Sequence, residues 1–312
     1  TSDASSLKAG ETTTVTFTLS EAATDFIEDD ISVSGGSLSS FAASSSTVYT
    51  ATFTPTADST TDGVISVASS KFSDSAGNEN ADGSDSNNTL TLSVDTVRPT
   101  IAITSDASSL KAGETTTVTF TLSEAASDFI EDDISVSGGE LSSFASSSST
   151  VYTATFTPTS DSTTDGVISV ASSKFSDSAG NENADGSEDN NSLTLSVDTV
   201  RPTIAITSGA SSLKKGETTT VTFTLSESST DFIEGDISVS GGTLSSFSGS
   251  GTTYTATFTP TDDSTTNGVI SVASDKFNDA AGNSNADGSD TNNTLTLSVD
   301  TVRPVSYTHL RA

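Results

Sequence analysis

Acidic and amide side chains recur at fixed positions in the chain, and their chemistry suits a metal ion. The segment D-S-A-G-N, which reads D-A-A-G-N in its last occurrence, places an Asp and an Asn four residues apart. A second segment, V-D-T-V-R-P, places an Asp at the end of an apolar run. Carboxylate and amide oxygens are the ligands that Ca²⁺ takes, six to eight at a time. Calcium binding is therefore the first chemistry to consider.

Catalysis has little support in the residues. The chain contains no Cys, and its one His, His309, lies outside the repeated pattern, so the many Ser residues have no base to activate them. Asp29 and Asp30 are neighbours beside a predicted strand, without the aromatic-lined cleft that glycoside hydrolysis uses. We expect no enzymatic activity.

The charge balance restricts the classes of partner. A net charge of −31 over 312 residues repels nucleic acids and anionic membrane surfaces and favours cations. The alternative interpretation is that the acids keep a Ser- and Thr-rich surface protein soluble. The longest apolar stretches are only a few residues, so we also expect no membrane insertion.

Three near-copies of a unit of about 103 residues fill the chain, which is typical of an array of domains. The segment that begins at Thr1 returns at Thr104 and, in a looser form, at Thr207. We predict domains at 1–98, 99–201 and 202–303, with the first strand of the first copy truncated, and interpret the chain as a piece of a longer one. Residues 304–312 depart from the repeat, and we predict that this tail is non-native.

Apolar residues alternate with Thr and Ser along most of each copy, which predicts half-buried β-strands. The alternating sets in the first copy are Val15, Phe17 and Leu19; Tyr49, Ala51 and Phe53; and Leu90, Leu92 and Val94. Shorter strands are predicted at Ile31–Val33, Leu38–Phe41 and Val64–Val67, and at Ile101–Ile103 of the second copy. About seven antiparallel strands in about 100 residues predict an all-β fold of three immunoglobulin-like Greek-key β-sandwiches.

An odd number of alternating strands makes the chain enter a sandwich at one pole and leave it at the other. The connectors Val94–Thr100 and Val197–Thr203 are short, lack Gly, and contain Pro99 and Pro202, which stiffen them. We therefore predict three sandwiches arranged end to end as a monomeric rod, whose immediate partners are neighbouring repeats of the same chain.

The ordered segments SEAATDFIEDDISVSGG, YTATFTPTAD, DSAGN and VDTVRP resemble the bacterial Ig-like repeats of large surface adhesins, including the RTX-type adhesins that use type I secretion. The resemblance covers residues 1 to about 304. It implies an extracellular stalk at the bacterial cell surface, in a setting such as a biofilm, which projects a distal domain that binds an unknown surface receptor. It also implies that calcium at the domain junctions stiffens the rod. The alternative is a module that binds a carbohydrate or a host protein through its acidic loops.

Strand direction predicts which acids would share a junction. Asp95 leaves the first sandwich at the pole where the second begins, and Asp198 leaves the second where the third begins. The predicted Ca²⁺ ligands are Asp95, Glu124, Asp177 and Asn181 at the first junction, and Asp198, Glu227, Asp279 and Asn283 at the second. Glu21 and Asp74 of the first copy would take their partner from a preceding repeat. Solvated charges, or an Asp that holds a tight turn, remain the alternative.

A second candidate calcium site lies within the long loop of the first copy. Asn78, Asn80 and Asp82 stand at alternate positions before Gly83, which resembles the first half of an EF-hand loop. The twelfth position, which needs a bidentate Glu, holds Thr89, Ser192 or Thr294 in the three copies. This site is the weaker hypothesis, and a polar, turn-rich loop is its alternative.

Overall fold

The computed structural model describes residues 1–81, 86–185, 189–287 and 290–306. Regular structure in these ranges consists of β-strands and three single-turn 3₁₀ helices at Glu28–Asp30, Glu131–Asp133 and Glu234–Asp236. Each repeat forms its own sandwich, and the ladders join strands of the same repeat. No helix in the described part of the chain is long and apolar enough to span a membrane.

The second domain shows the complete arrangement of a repeat. Its strands are β8 (Ile101–Ser105), β9 (Ser109–Lys111), β10 (Thr116–Leu122), β11 (Ile134–Ser137), β12 (Gly139–Ser146), β13 (Val151–Pro158), β14 (Gly166–Val170) and β15 (Ser192–Asp198). One sheet has the order β12-β13-β10-β8 and the other β11-β14-β15-β9. This is the immunoglobulin arrangement, with the first strand divided between the two sheets. The predicted all-β, Ig-like sandwich is confirmed.

The first domain contains β1 (Ser6–Lys8), β2 (Thr13–Thr18), β3 (Ile31–Ser34), β4 (Gly36–Ala43), β5 (Val48–Pro55), β6 (Gly63–Val67) and β7 (Thr89–Asp95). The third contains β16 (Ile204–Ser208), β17 (Ser212–Lys214), β18 (Thr219–Ser229), β19 (Ile237–Ser240), β20 (Gly242–Pro260), β21 (Gly268–Val272) and β22 (Thr294–Asp300). Their sheets have the orders β2-β5-β4 and β1-β7-β6-β3, and β16-β18-β20 and β17-β22-β21-β19.

The short strands β1, β9 and β17 correct the predicted all-antiparallel count. Each runs parallel to the last strand of its domain, so that Lys8 pairs with Asp95, Lys111 with Asp198, and Lys214 with Asp300. The alternation rule missed them because each contains one apolar residue, the buried Leu7, Leu110 or Leu213. These strands place a Lys beside the Asp at the C-terminal pole of each sandwich.

Alternating apolar residues fill each core as predicted. In β10, Val118, Phe120 and Leu122 are all buried, while the intervening Thr residues face outward. Phe156 of the facing strand β13 is fully buried, and Gly139 and Gly166 lie against its ring. A Cβ at either Gly would come within 2.5 Å of the ring. Burial of one such Phe side chain contributes roughly 1.5–3 kcal/mol.

Aromatic residues anchor the loops at the N-terminal pole of each sandwich. Phe129, in the loop after β10, contacts the rings of Phe120, Phe144, Tyr152 and Phe175 at centroid distances of 5.1–5.8 Å. Phe175 belongs to the long loop before β15. Because one aromatic cluster holds both loops, the polar residues they carry are placed close together on this pole.

The off-repeat tail is described only through residue 306. Pro304, Val305 and Ser306 lie outside any strand, and the Val305 side chain is 72% exposed. Residues 307–312, including His309, lie outside the described residues. The proposed non-native origin of the tail stays a prediction.

Candidate functional site

The structure brings together three carboxylates at each of the two domain junctions. Asp95 at the end of β7, Glu124 after β10 and Asp177 in the DSAGN turn offer oxygens that all lie within 4.8 Å of one another. Asp198, Glu227 and Asp279 form the same cluster at the second junction. We call these the junction triads. Each triad draws one acid from the preceding domain and two from the following one.

Hydrogen bonds on both sides of Glu124 hold the loop that carries it. The Ser123 N–H donates to Thr100 O, and the Thr100 N–H donates to Ser123 Oγ at 2.8 Å, which ties the connector to the loop. On the other side of Glu124, the buried Tyr152 hydroxyl donates to Ala126 O at 2.9 Å. The loop that carries Glu124 is therefore fixed by both the connector and the core.

Asp177 also holds the tight turn in which it lies. Its Oδ1 accepts from the N–H groups of Ala179 and Asn181, and its Oδ2 accepts from Asn181 Nδ2, at 2.8–2.9 Å. The turn-holding role considered as the alternative is thus present. A carboxylate has about four lone-pair sites, so these three bonds leave Asp177 able to take one further partner.

Asn181 makes direct contacts between the first and second domains. Its Nδ2 donates to the backbone carbonyl of Asp95 at 2.9 Å, and its Oδ1 accepts from the Ala9 N–H at 2.7 Å. The amide oxygen predicted as a Ca²⁺ ligand therefore bonds to the preceding domain. Asn283 repeats the arrangement with the Asp198 carbonyl at 2.9 Å and the Ala112 N–H at 2.7 Å.

Two cationic side chains extend each contact. Lys8 Nζ donates to Gly180 O at 2.9 Å, and Arg98 Nη1 donates to Glu182 O at 3.3 Å. Lys111 and Arg201 make the matching bonds to Gly282 O and Ser284 O at the second junction. We call the Asn and Lys contacts of one junction its clasp. Sequence reasoning missed Lys8 and Ala9 because nothing in S-L-K-A-G indicates a parallel strand beside β7.

The environment of each triad raises the pKa of its Glu. Burial raises the pKa of Glu124, and the neighbouring carboxylates of Asp95 and Asp177 raise it further. Burial and the carboxylates of Asp198 and Asp279 raise the pKa of Glu227 in the same way. Repulsion between like charges at close range favours either protonation or a bound cation.

The residues of the weaker loop site have structural partners. Asn78 donates from Nδ2 to Asp74 Oδ2. Asn80 Oδ1 accepts from the N–H groups of Lys71 and Phe72, and its Nδ2 donates to Ala68 O. Asp82 lies outside the described residues. These bonds correspond to the polar, turn-rich loop that was the alternative, and metal binding here stays a prediction.

A buried carboxylate fixes the start of the second domain. Asp185 is 5% exposed, and its Oδ1 accepts from the Ile101 N–H at 2.7 Å. Its Oδ2 is buried and has no hydrogen-bond partner among the described residues. Asp287 holds the Ile204 N–H in the same way. These Asp residues stand at the position of Asp82 in the loop motif, and their hydrogen bonds secure the first strand of the second and third domains.

The repeated sandwich matches a known family of domains. The sequence profile of the bacterial Ig-like domain family matches residues 1–91, 95–195 and 198–296. The chain belongs to this family. A search of curated proteins finds no match.

Solved structures similar to this bacterial Ig-like array include bacterial adhesins. For the Escherichia coli adhesin FdeC, identity is 17%, coverage is 96% of this chain and 95% of that one, and the TM-score is 0.39. Invasin, a bacterial integrin-binding protein, is 14% identical, with coverage of 96% and 59% and a TM-score of 0.38. Yersinia pseudotuberculosis InvD is 17% identical, with coverage of 88% and 91% and a TM-score of 0.33.

Proposed function

We propose that this chain is a stalk segment of a bacterial surface adhesin. In this proposal, the clasps hold successive sandwiches in one orientation, and Ca²⁺ at the junction triads stiffens the array further. The observation that carries the proposal is the repetition of both features. Each clasp and each triad has the same residue types and nearly the same distances at the two junctions.

Repeated contacts at the junctions are what a rigid spacer requires. The connectors between β7 and β8 and between β15 and β16 are short. Each clasp also joins one domain to the long loop that precedes the last strand of the next domain. In a flexible string of domains, connections would be longer and contacts across them few. Direct hydrogen bonds on both sides of the connector support a fixed angle between neighbours.

A divalent cation fits the triads on chemical grounds. Three carboxylates within 4.8 Å of one another supply hard oxygen ligands, and waters would complete the six to eight that Ca²⁺ takes. Burial and the neighbouring Asp carboxylates raise the pKa of Glu124 and Glu227, and a bound cation would relieve the repulsion among these carboxylates. In this proposal the clasp sets the geometry of the junction, and the cation removes the repulsion that opposes it.

The proposed location is the outside of a bacterial cell, with a surface receptor bound by other domains of the same protein. Membership of the bacterial Ig-like family and the adhesin-like order of the repeat motifs support this placement. The net charge of −31 supports it as well, because such a surface keeps folded domains apart unless specific contacts join them.

Small-angle X-ray scattering of the chain in millimolar Ca²⁺ and in chelator tests the proposal. We expect a maximum dimension of about 120 Å, at roughly 40 Å per sandwich, and a less well-defined long dimension in chelator. The variant Glu124→Gln/Glu227→Gln should give the same profile in both conditions. Asp29→Asn/Asp132→Asn, which removes two exposed acids from the 3₁₀ turns, should respond like the wild type.

The two parts of the proposal fail separately. An extended particle that is identical with and without Ca²⁺ would remove the cation from the proposal and leave the clasped stalk. A compact particle in both conditions would contradict the stalk itself and favour a binding module. An equal loss of the calcium response in the two double variants would show that total charge, and not the triads, is responsible.

A further inference from the structure

Each repeat contains one Asn-x-Ser/Thr segment, which ends at the first residue of its last strand. The three segments are residues 87–89, 190–192 and 292–294. The chain has fourteen Asn residues, and none outside these three segments stands two residues before a Ser or Thr. In an exported protein, such a segment is an acceptor for a sugar on the Asn side chain when it lies on the surface. The position of each Asn in the fold therefore decides whether the motif has a use.

The three copies differ within this segment in a way that keeps the acceptor pattern. With the two preceding residues, the segments read D-S-N-N-T, E-D-N-N-S and D-T-N-N-T. The position directly before the first Asn changes from Ser to Asp to Thr, whereas the outer positions change only between Asp and Glu and between Thr and Ser. The acid gives the acceptor a negative charge that a transferase with a basic residue beside its peptide groove would recognise. Asp290 is described, and Asp85 and Glu188 lie outside the described residues.

The structure distinguishes the two adjacent Asn residues of the third domain. Asn293 is half-buried; its Nδ2 donates to Val272 O, and its own carbonyl accepts from the Val272 N–H, both at 3.1 Å. Asn292 is exposed, in the turn before β22. The Ile206 N–H donates to the backbone carbonyl of Asn292 at 2.8 Å, which holds the turn through the main chain. Within the described ranges the Asn292 side chain makes no hydrogen bond, so the Asn that fits the pattern is the one that the fold leaves outside.

The same contrast holds in the first two domains. The second Asn of each pair is half-buried and donates from Nδ2 to a Val carbonyl of the neighbouring strand at 3.0–3.1 Å. The first Asn, which is Asn87 or Asn190, is exposed. The hydroxyl residues of the three segments are also exposed; they are Thr89, Ser192 and Thr294. A bulky group on the first Asn would therefore cost no core contact in any of the domains.

We propose that Asn87, Asn190 and Asn292 are acceptors for N-linked glycans, one on each sandwich. The donor is a sugar activated as a glycosyl diphosphate, carried by a membrane lipid or by a nucleotide. The Asn Nδ2 forms a bond to the anomeric carbon, and the bond from this carbon to the diphosphate oxygen breaks. The diphosphate leaves with the bonding electron pair, and one Nδ2 proton passes to a base of the transferase. This inference rests on the proposed export of the chain, and it adds one bulky, hydrated group to each domain of the stalk.

Mass spectrometry of the full chain after coexpression with each kind of transferase tests the proposal. One arm supplies a bacterial oligosaccharyltransferase with its lipid-linked oligosaccharide, and the other a cytosolic N-glycosyltransferase with its nucleotide sugar. We expect glycans in one of the arms, located by peptide mapping at Asn87, Asn190 and Asn292, and the productive arm identifies the carrier of the sugar. Absence of a glycan in both arms, while a control acceptor protein is modified in the same cells, would overturn the proposal. Neither Ca²⁺ nor particle shape enters this measurement, so its result is independent of the scattering test of the stalk.

Two variants of the third domain provide matched tests, with the other two acceptors of the same chain as internal controls. Thr294→Val removes the hydroxyl and keeps a β-branched residue, so glycan occupancy at Asn292 should fall by roughly tenfold or more. Its melting curve should match the wild type, because the one hydrogen bond lost, to Asn293 Oδ1, is long at 3.4 Å. Asp290→Asn removes the negative charge and should also lower occupancy at Asn292; no change would overturn the role given to the acid. Full occupancy in Thr294→Val, or a glycan on Asn293, would overturn the acceptor assignment.

Discussion

Replacement of Asn181 by Ala should weaken the junction between the first and second domains. Asn181 is 2% exposed, and its side chain makes two bonds across the junction, to Asp95 O and from Ala9 N–H, plus one within its own turn to Asp177. A buried hydrogen bond contributes about 0.5–1.5 kcal/mol net. The two interdomain bonds together are therefore worth about 1–3 kcal/mol.

The first domain contains a matched control for this change. Asn78 makes the same bonds within its turn, since Asp74 accepts from its backbone N–H and from its Nδ2. Among the described residues, no hydrogen bond joins Asn78 to another domain. Asn78→Ala therefore reports the loss of the turn alone, and the difference between the two variants isolates the clasp.

The assay is urea unfolding of the full chain in chelator, so that bound cations do not contribute, with scattering in parallel. Asn181→Ala should lower the free energy of unfolding of the second domain by about 1–3 kcal/mol more than Asn78→Ala lowers that of the first. Scattering should show a broader distribution of long dimensions only for Asn181→Ala. Equal effects of the two substitutions on both measurements would refute the clasp reasoning, and Asn283→Ala provides an independent repetition.

Three further outcomes are expected. Glu124→Gln/Glu227→Gln should raise the melting temperature in chelator at neutral pH. The folded-state pKa of each Glu is raised, so the wild type loses stability as pH rises from the ordinary Glu pKa through the raised value. Below that pH window, the melting temperatures of the wild type and the variant should therefore become equal. Asp185→Ala leaves the buried Ile101 N–H without its acceptor and should lower the free energy of unfolding by about 1–3 kcal/mol in chemical denaturation. A stability equal to the wild type would contradict the role of Asp185 in holding the first strand of the second domain. Gly166→Ala places a Cβ against the Phe156 ring and should lower the free energy of unfolding by about 1–3 kcal/mol in the same measurement. At Gly113 nothing lies within 4 Å of an added Cβ, so Gly113→Ala should cost only the backbone strain of a positive φ.

The polar loop residues mark the limit of reasoning from motifs. Asn183 and Asp185 stand at alternate positions like calcium ligands, yet Asn183 Oδ1 accepts from the Lys174 and Phe175 N–H groups, and Asp185 holds Ile101. The same residue types serve both purposes, since an oxygen that binds a cation also accepts an N–H. Spacing alone does not distinguish these roles, because the choice depends on which backbone donors the fold brings within 3 Å.

Much of the fold was determined by local pattern in the sequence. Alternation of Val118, Phe120 and Leu122 with Thr requires a strand with one buried face, and repetition of the unit requires three equivalent cores. Because the chain reverses direction so that it leaves each sandwich at the pole opposite its entry, Asp95 at the end of the first domain and Glu124 near the start of the second lie at poles that face each other. These conclusions follow from the sequence because side-chain period and chain direction are local properties.

The contacts of the junction were decided only by the tertiary structure. Lys8 and Ala9 reach the second domain because β1 pairs in parallel with β7, a partner that lies more than 80 residues away in the chain. Three residues with one apolar side chain carry no periodic signal, so the pairing depends on the rest of the sandwich. The sequence thus determined that acids of two domains meet at a junction, and the packing of a short parallel strand decided that Asn181 and Lys8 join those domains directly.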